Sequence, residues 1–170
     1  MVIRKEEPKD YAAVYELVKN AFGSAQHADG NEQDLVCAIR KSDAYIPELS
    51  LVAVIGSEIA GHIMFTRVKI AGSTQLALAP LSVLPKYQRR GIGMALIQSG
   101  HAMARKMGFC YSVVLGSEKY YPKAGYVPAR EYGIVSPFPV PYENFMVCRL
   151  ADDAPEISGT VEYAREFGVE

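Results

Sequence analysis

Gln88-Arg89-Arg90-Gly91-Ile92-Gly93 holds the residues with the plainest chemical reading in this chain. Two glycines at alternate positions let the backbone approach a ligand closely and take positive φ. The helix expected from Ile92 to Met107 aims its unpaired N–H groups and the positive end of its dipole at the same point. Such a cradle suits a phosphate group. No Lys-Ser or Lys-Thr follows the glycines, as in a triphosphate-binding loop, and no third glycine completes a dinucleotide fingerprint. A phosphate ligand outside nucleotidyl transfer is favoured, with tight helix packing as the alternative use of the same pair.

The elements that must position this cradle follow from periodicity. Val2-Ile3-Arg4 is extended in character, Glu7 to Asp10 supplies turn and cap residues, and Val14, Leu17, Val18 and Phe22 recur at helical spacing. A polar loop over 23–30 precedes a second short helix through Leu35, Val36 and Ile39, ending near Lys41. Leu51 to Ile55 and Ile59 to Phe65 flank Gly56-Ser57-Glu58 as an antiparallel hairpin, and Gln75 to Leu84 extends that sheet after a turn at Gly72. The cradle helix, with Ile92, Leu96, Met103 and Met107 on its apolar stripe, closes at Gly108. A strand Tyr111 to Leu115, a short helix near Pro122 to Ala124, and late strands at Val135 and Phe145 to Leu150 follow. Three prolines within 136–144 predict a stiff loop there. The expectation is an α/β (α+β) layer fold, one domain over 1–150 with a tail over 151–170 that docks through Val161, Tyr163 and Phe167.

Composition narrows the function classes. The 170 residues suffice for one well-buried core. A net charge of -1 gives no general attraction to nucleic acid or to an anionic membrane. Cys37, Cys110 and Cys148 are scattered in apolar surroundings and read as reduced structural thiols, and neither a CxxC pair nor clustered histidines offers a metal site. With no secretory or spanning segment, the cytoplasm is the expected compartment.

With the elements in this order, Leu81-Ser82-Val83-Leu84-Pro85-Lys86-Tyr87-Gln88-Arg89-Arg90-Gly91-Ile92-Gly93-Met94-Ala95-Leu96-Ile97 resembles the strand-loop-helix acetyl-CoA motif of the GNAT-superfamily N-acetyltransferases, Gln/Arg-x-x-Gly-x-Gly/Ala. Tyr120-Tyr121-Pro122-Lys123-Ala124-Gly125-Tyr126 resembles the family's later Phe-Tyr-x-x-x-Gly-Phe motif. The chain is most similar to the bacterial YhbS-like branch, on Glu32 to Ile39, Val114-Leu115-Gly116 and Gly159-Thr160-Val161. The resemblance implies the GNAT fold, a mixed sheet of about six to seven strands flanked by helices, and acetyl-CoA as co-substrate without a metal.

It further implies that backbone N–H groups from Arg89 through Arg90, Gly91, Ile92 and Gly93 to Met94 hold the coenzyme A pyrophosphate. The strand edge at Leu81, Ser82 and Val83 would bond the pantetheine arm, and Gln88 fits its motif position. Arg89 and Arg90 either add charge at the phosphates or form a solvated face. Acetyl transfer to an amine needs a neutral amine, stabilisation of the oxyanion and a proton for the departing thiolate. The resemblance puts the Val83 N–H at the thioester carbonyl and the Tyr121 hydroxyl near the sulfur, with Tyr120 lining the coenzyme pocket. Pro122 keeps Tyr121 at the entrance of its short helix. Where many relatives carry an asparagine after the fifth main strand, this chain has Gly116-Ser117, which puts that contact to pantetheine in doubt.

For the general base, Glu32, Glu118 and Glu143 are candidates, Glu32 first because the helices after the first strand border the acceptor site in the family. His62 and His101 read as hydrogen-bonded structural residues and His27 as a loop residue. Phe138, Tyr142 and Phe145 either shape an acceptor pocket or pack the loop. The leading expectation is an N-acetyltransferase acting on a small-molecule or protein amine, with a homodimer as a further expectation. The rival is a non-catalytic acyl-CoA-binding or sensing module.

Overall fold

The computed structural model describes residues 1–22 and 30–168. His27 and all of the expected polar loop except Gly30 lie outside the described residues. In chain order the elements are β1 (Val2–Lys5), α1 (Tyr11–Phe22), α2 (Glu32–Arg40), β2 (Tyr45–Ile55), β3 (Glu58–Ile70), β4 (Ser73–Val83) and α3 (Ile92–Lys106). There follow β5 (Tyr111–Leu115), β6 (Val127–Pro128), β7 (Ile134–Val135), β8 (Phe145–Arg149) and β9 (Gly159–Glu162).

The sheet runs β1-β2-β3-β4-β5-β8-β6, and β9 pairs with both β3 and β7. Its nine strands exceed the six to seven expected. The extra two are β6, of two residues, and β9, of four. Neither is long enough to show a period in sequence, and both form because a neighbouring strand offers a ladder. β2 also begins six residues earlier than expected, across Pro47, where a register irregularity between Tyr45 and Ser50 absorbs the missing donor.

Side-chain alternation sorts the sheet into two faces. Ile63, Phe65, Leu76 and Leu78 pack with Ile92, Leu96, Ile97 and Ala104 of α3. Val52 and Met64 pack on the opposite face with Val14, Leu17 and Val18 of α1 and Val36 and Ile39 of α2. A third cluster joins Ala77, Val113, Val147, Ile134 and Val161, so β9 closes a core of its own. Each such buried side chain contributes about 1.5–3 kcal/mol of transfer free energy.

The buried stripe of α3 differs from the expected one. Met103 and Met107 are 36% and 40% exposed, whereas Gly93, Gly100, His101 and Ala104 are buried beside Ile92, Leu96 and Ile97. The line of closest approach is built from small residues, which a hydrophobicity pattern does not mark. At Gly100 a Cβ would run into the ring of Phe65. Gly100→Ala should therefore destabilise the protein: the gain in helix propensity, about 1 kcal/mol, is outweighed by overpacking of about 1–3 kcal/mol. A urea melt checks the sign.

Candidate active site

β4 and β5 are parallel and paired only at Leu76 with Ser112 and Ala77 with Val113, although β4 continues to Val83 and β5 to Leu115. The strands part beyond those pairs. One extra residue in β4 between Leu78 and Leu81 shifts its register against β3 at the same place, and such a bulge bends a strand and re-aims its edge. The Leu84 N–H bonds to Ala60 O at 2.9 Å, towards β3. Successive strand N–H groups point to opposite edges, so those of Val83 and Leu81 face the edge that β5 has left. Ser82, between them, is buried.

The cradle follows directly. Arg89 and Gly91 both have positive φ, 64° and 81°, on either side of Arg90. Gly91 is the N-cap of α3 and has no side chain to satisfy the first turn. Ala95 N–H to Gly91 O, 3.0 Å, is the helix's opening bond, which leaves the N–H groups of Ile92, Gly93 and Met94 without intrahelical acceptors. The glycine pair thus divides its roles differently from the expectation of positive φ at both. Gly93 is helical, and its need is space, because a Cβ there would meet the Tyr120 hydroxyl. That contact brings the two sequence motifs together. The Gln88 amide donates to Val83 O at 3.1 Å, tying the loop to the strand end. Arg89 and Arg90 are exposed, and the Arg90 guanidinium lies 5.7 Å from the centre of the Tyr87 ring.

Tyr121 opens the single helical turn Tyr121–Ala124, with Pro122 next to it. Its ring stands edge-on to Tyr120 and Tyr126, with centroids 5.1 and 5.7 Å away. It also occupies the space where a Cβ of residue 116 would be. Gly116 is therefore the residue that lets Tyr121 lie against the end of β5. Burial, and secondarily the neighbouring Tyr120, push the Tyr121 phenol well above its ordinary pKa, and burial raises Tyr120 as well. Both hydroxyls keep their protons at neutral pH and can donate.

Asn144, which the sequence did not single out, donates to Gly116 O at 3.0 Å and to Glu118 Oε2 at 2.8 Å. It clamps the start of the tyrosine segment to the end of the proline loop. Its only signal in sequence was its place just before β8. Glu118 is exposed, and hydrogen bonds from its own backbone N–H and from Asn144 lower its pKa, so it stays ionised in a fixed place. Glu143 is exposed. Glu32 is the first residue of α2, half-buried, on an element that packs on α1 and on the turn at Arg165–Phe167. Phe138 stacks with Tyr163, and Phe145 is buried in the third core cluster.

His101 is buried, and its Nε2 lies 3.0 Å from the Tyr126 hydroxyl, itself 2.8 Å from Ser112 Oγ. Burial, with Arg105 nearby, lowers its pKa to about 4, which keeps it neutral. Of the cysteines only Cys148 is buried; Cys37 and Cys110 are half-buried, because α2 and the turn before β5 leave one side of each open. A cleft of about 950 Å³ opens between α1 and the β2–β3 turn. Its lining holds no residue of β4 or β5 and reaches only Leu84, just past the end of β4, so it does not coincide with the parted strands.

The model of the acetyltransferase (GNAT) family matches residues 11–126. An uncharacterised N-acetyltransferase of Escherichia coli K12, YjhQ, is 36% identical over 143 residues, covering 81% of this chain and 76% of its own. A second from the same organism, YhbS, is 30% identical over 98% of both chains. Among solved structures, E. coli YhbS in complex with CoA superposes with a TM-score of 0.89 at 29% identity, covering 98% of this chain and 91% of that one. A GNAT acetyltransferase from Brucella melitensis in complex with acetyl-CoA gives 0.80 at 33% identity, covering 98% and 97%. On these matches the chain belongs to the acetyltransferase (GNAT) family.

Proposed function

We propose that the protein transfers an acetyl group from acetyl-CoA to a primary amine by direct attack in a ternary complex. The observation that carries this reading is the parting of β4 from β5 beside the uncapped start of α3, with two protonated tyrosines at the same place. The N–H groups of residues 89–94 would bind the pyrophosphate, and the edge at Leu81 to Val83 would pair with the pantetheine amides as a substitute strand. The Val83 N–H stabilises the oxyanion, and the Tyr121 hydroxyl donates to the leaving thiolate. Glu32 was the base expected from sequence. CoA and acetyl-CoA in the two similar crystal structures support the co-substrate.

Release of free CoA thiol from acetyl-CoA, measured across polyamines, aminoglycosides, amino acids and peptide amines, tests the reading. Acceptor-dependent release supports it and identifies the acceptor class. Tight acetyl-CoA binding without release on any acceptor favours a binding module instead.

Gly116 supplies a sharper check. Gly116→Ala puts a methyl group into the Tyr121 ring. It should lower kcat about tenfold or more by displacing the hydroxyl by an ångström or so, with acetyl-CoA affinity changed less than threefold in calorimetry. Equal kcat in this variant would remove Tyr121 from the reaction. We also propose a cytoplasmic homodimer, which light scattering on a gel-filtration column tests.

A further inference from the structure

A polar cluster in the core lies outside the motifs. Glu6, just after β1, has a fully buried carboxylate. It accepts from Arg40 of α2 at 2.8 and 3.0 Å, from Ser50 Oγ of β2 at 2.6 Å and from the Tyr45 hydroxyl at 3.3 Å. His62 of β3, also fully buried, places Nε2 3.2 Å from Ser50 Oγ and 3.4 Å from Glu6 Oε2. Tyr11 of α1 stacks on the far side of Arg40, 3.9 Å from the guanidinium. Serine, histidine and carboxylate meet here, yet not as a nucleophilic triad. Serine and carboxylate both fall on the same ring nitrogen, and Ser50 gives its proton to Glu6.

This arrangement decides the histidine's tautomer. Since the Ser50 hydroxyl donates to Glu6, its lone pairs face Nε2, and both neighbours of Nε2 are acceptors. Neutral His62 therefore carries its hydrogen on Nε2. The basic lone pair is left on Nδ1, which is buried and has no partner among the described residues. Opposite His62 across the β3–β4 ladder stands Ser82, whose Oγ is likewise buried without a partner among the described residues. Directly paired residues share a face with Cβ atoms about 5 Å apart, and two otherwise unsatisfied buried polar atoms side by side are the partners that a buried water takes. Ser82 is also the neighbour of Val83, whose N–H faces the parted edge.

The geometry points to His62 as the group that takes the proton from the acceptor ammonium, through Ser82 and one bridging water, with Glu6 stabilising the imidazolium that results. This rests on the acetyl-transfer reading above and puts His62, rather than Glu32, in the role of base. The ammonium gives one proton along Ser82 and the water to Nδ1, and the neutral nitrogen then attacks the thioester carbon. A C–N bond forms and the C–S bond breaks. The thiolate takes the Tyr121 proton, and the second nitrogen proton restores Tyr121. Amide and CoA thiol leave, and the proton held by His62 passes to solvent. A carboxylate behind the histidine performs the same orienting and charge-balancing task in serine hydrolases.

Two readouts test it. The first needs no acceptor: ¹⁵N spectra of histidine-labelled protein, with His62 assigned through His62→Gln, should show neutral His62 as the Nε2–H tautomer. An Nδ1–H tautomer overturns the relay whether or not the protein acetylates anything tested. The second uses the best amine in the thiol-release assay. His62→Gln should lower kcat about 100-fold or more and keep KM for acetyl-CoA within twofold. A kcat within threefold of the wild type overturns the proposal. If His62→Gln fails to fold, Ser82→Ala leaves the ion cluster intact and should lose about tenfold in kcat at an unchanged melting temperature; full activity there also overturns it. A wild type silent on every amine counts against the acetyl-transfer reading, and the tautomer measurement still judges the relay.

Discussion

Tyr121→Phe is expected to lower kcat for acetyl transfer by about 10²- to 10⁴-fold, the usual worth of a positioned general acid. Acetyl-CoA affinity should change less than threefold. The argument for so large an effect on turnover alone is geometric. The Tyr121 ring is fixed by edge-on contacts to Tyr120 and Tyr126 and by the space above Gly116. Phenylalanine keeps all three contacts and removes only the oxygen. Burial holds the phenol above its ordinary pKa, so the proton is present throughout the neutral range. The proposed phosphate cradle is backbone and is untouched. Single-turnover thiol release and calorimetry on the same variant separate the two quantities. A Tyr121→Phe enzyme that turns over at the wild-type rate would assign the proton to another donor.

Glu6→Gln should cost about 3–5 kcal/mol of stability, the usual penalty for breaking a buried ion pair from one side. In a chain of this size that is about 10 °C in melting temperature. The substitution leaves Arg40, whose side chain is only 7% exposed, without its counter-charge and places an amide against the donors of Arg40 and His62. Burial alone would raise the pKa of Glu6, but hydrogen bonds from His62, Arg40 and Ser50 overcome it and hold the carboxyl far below its ordinary range. The sign of the linkage follows. A depressed carboxyl stabilises the fold fully above its unfolded pKa, about 4.3, and that contribution is lost as pH falls towards the folded value. The wild type should lose stability steadily below about pH 4, and Glu6→Gln should lack that part of the acid dependence. Thermal melts between pH 2 and 7 measure both. Parallel acid curves would show that other carboxylates set the slope.

Much of the architecture was legible. Helical spacing in α1, the Gly56-Ser57 hairpin, the exact span of β5 and the turn opened by Tyr121-Pro122 all rest on local rules, which a sequence displays directly. What was not legible depends on partners distant in the chain. β9 has no strand period of its own and exists because β3 and β7 offer it edges. The apolar stripe of α3 was misplaced because its closest contact with the sheet is made by glycines. His62 was read as a structural histidine, and nothing near it in sequence announces that Glu6, held by Arg40, meets both it and Ser50.

The sequence by itself determined the pieces of this protein that work through backbone. The cradle needs a residue such as Gly91 able to take positive φ and a helix beginning just after it, and both are local properties written in consecutive residues. Only the tertiary structure decided why Gly93 and Gly116 must lack side chains, which edge of β4 is left open, and which nitrogen of His62 carries its hydrogen. Those depend on side chains that the folded backbone brings within a few ångströms of one another, and close packing leaves no room for a second arrangement.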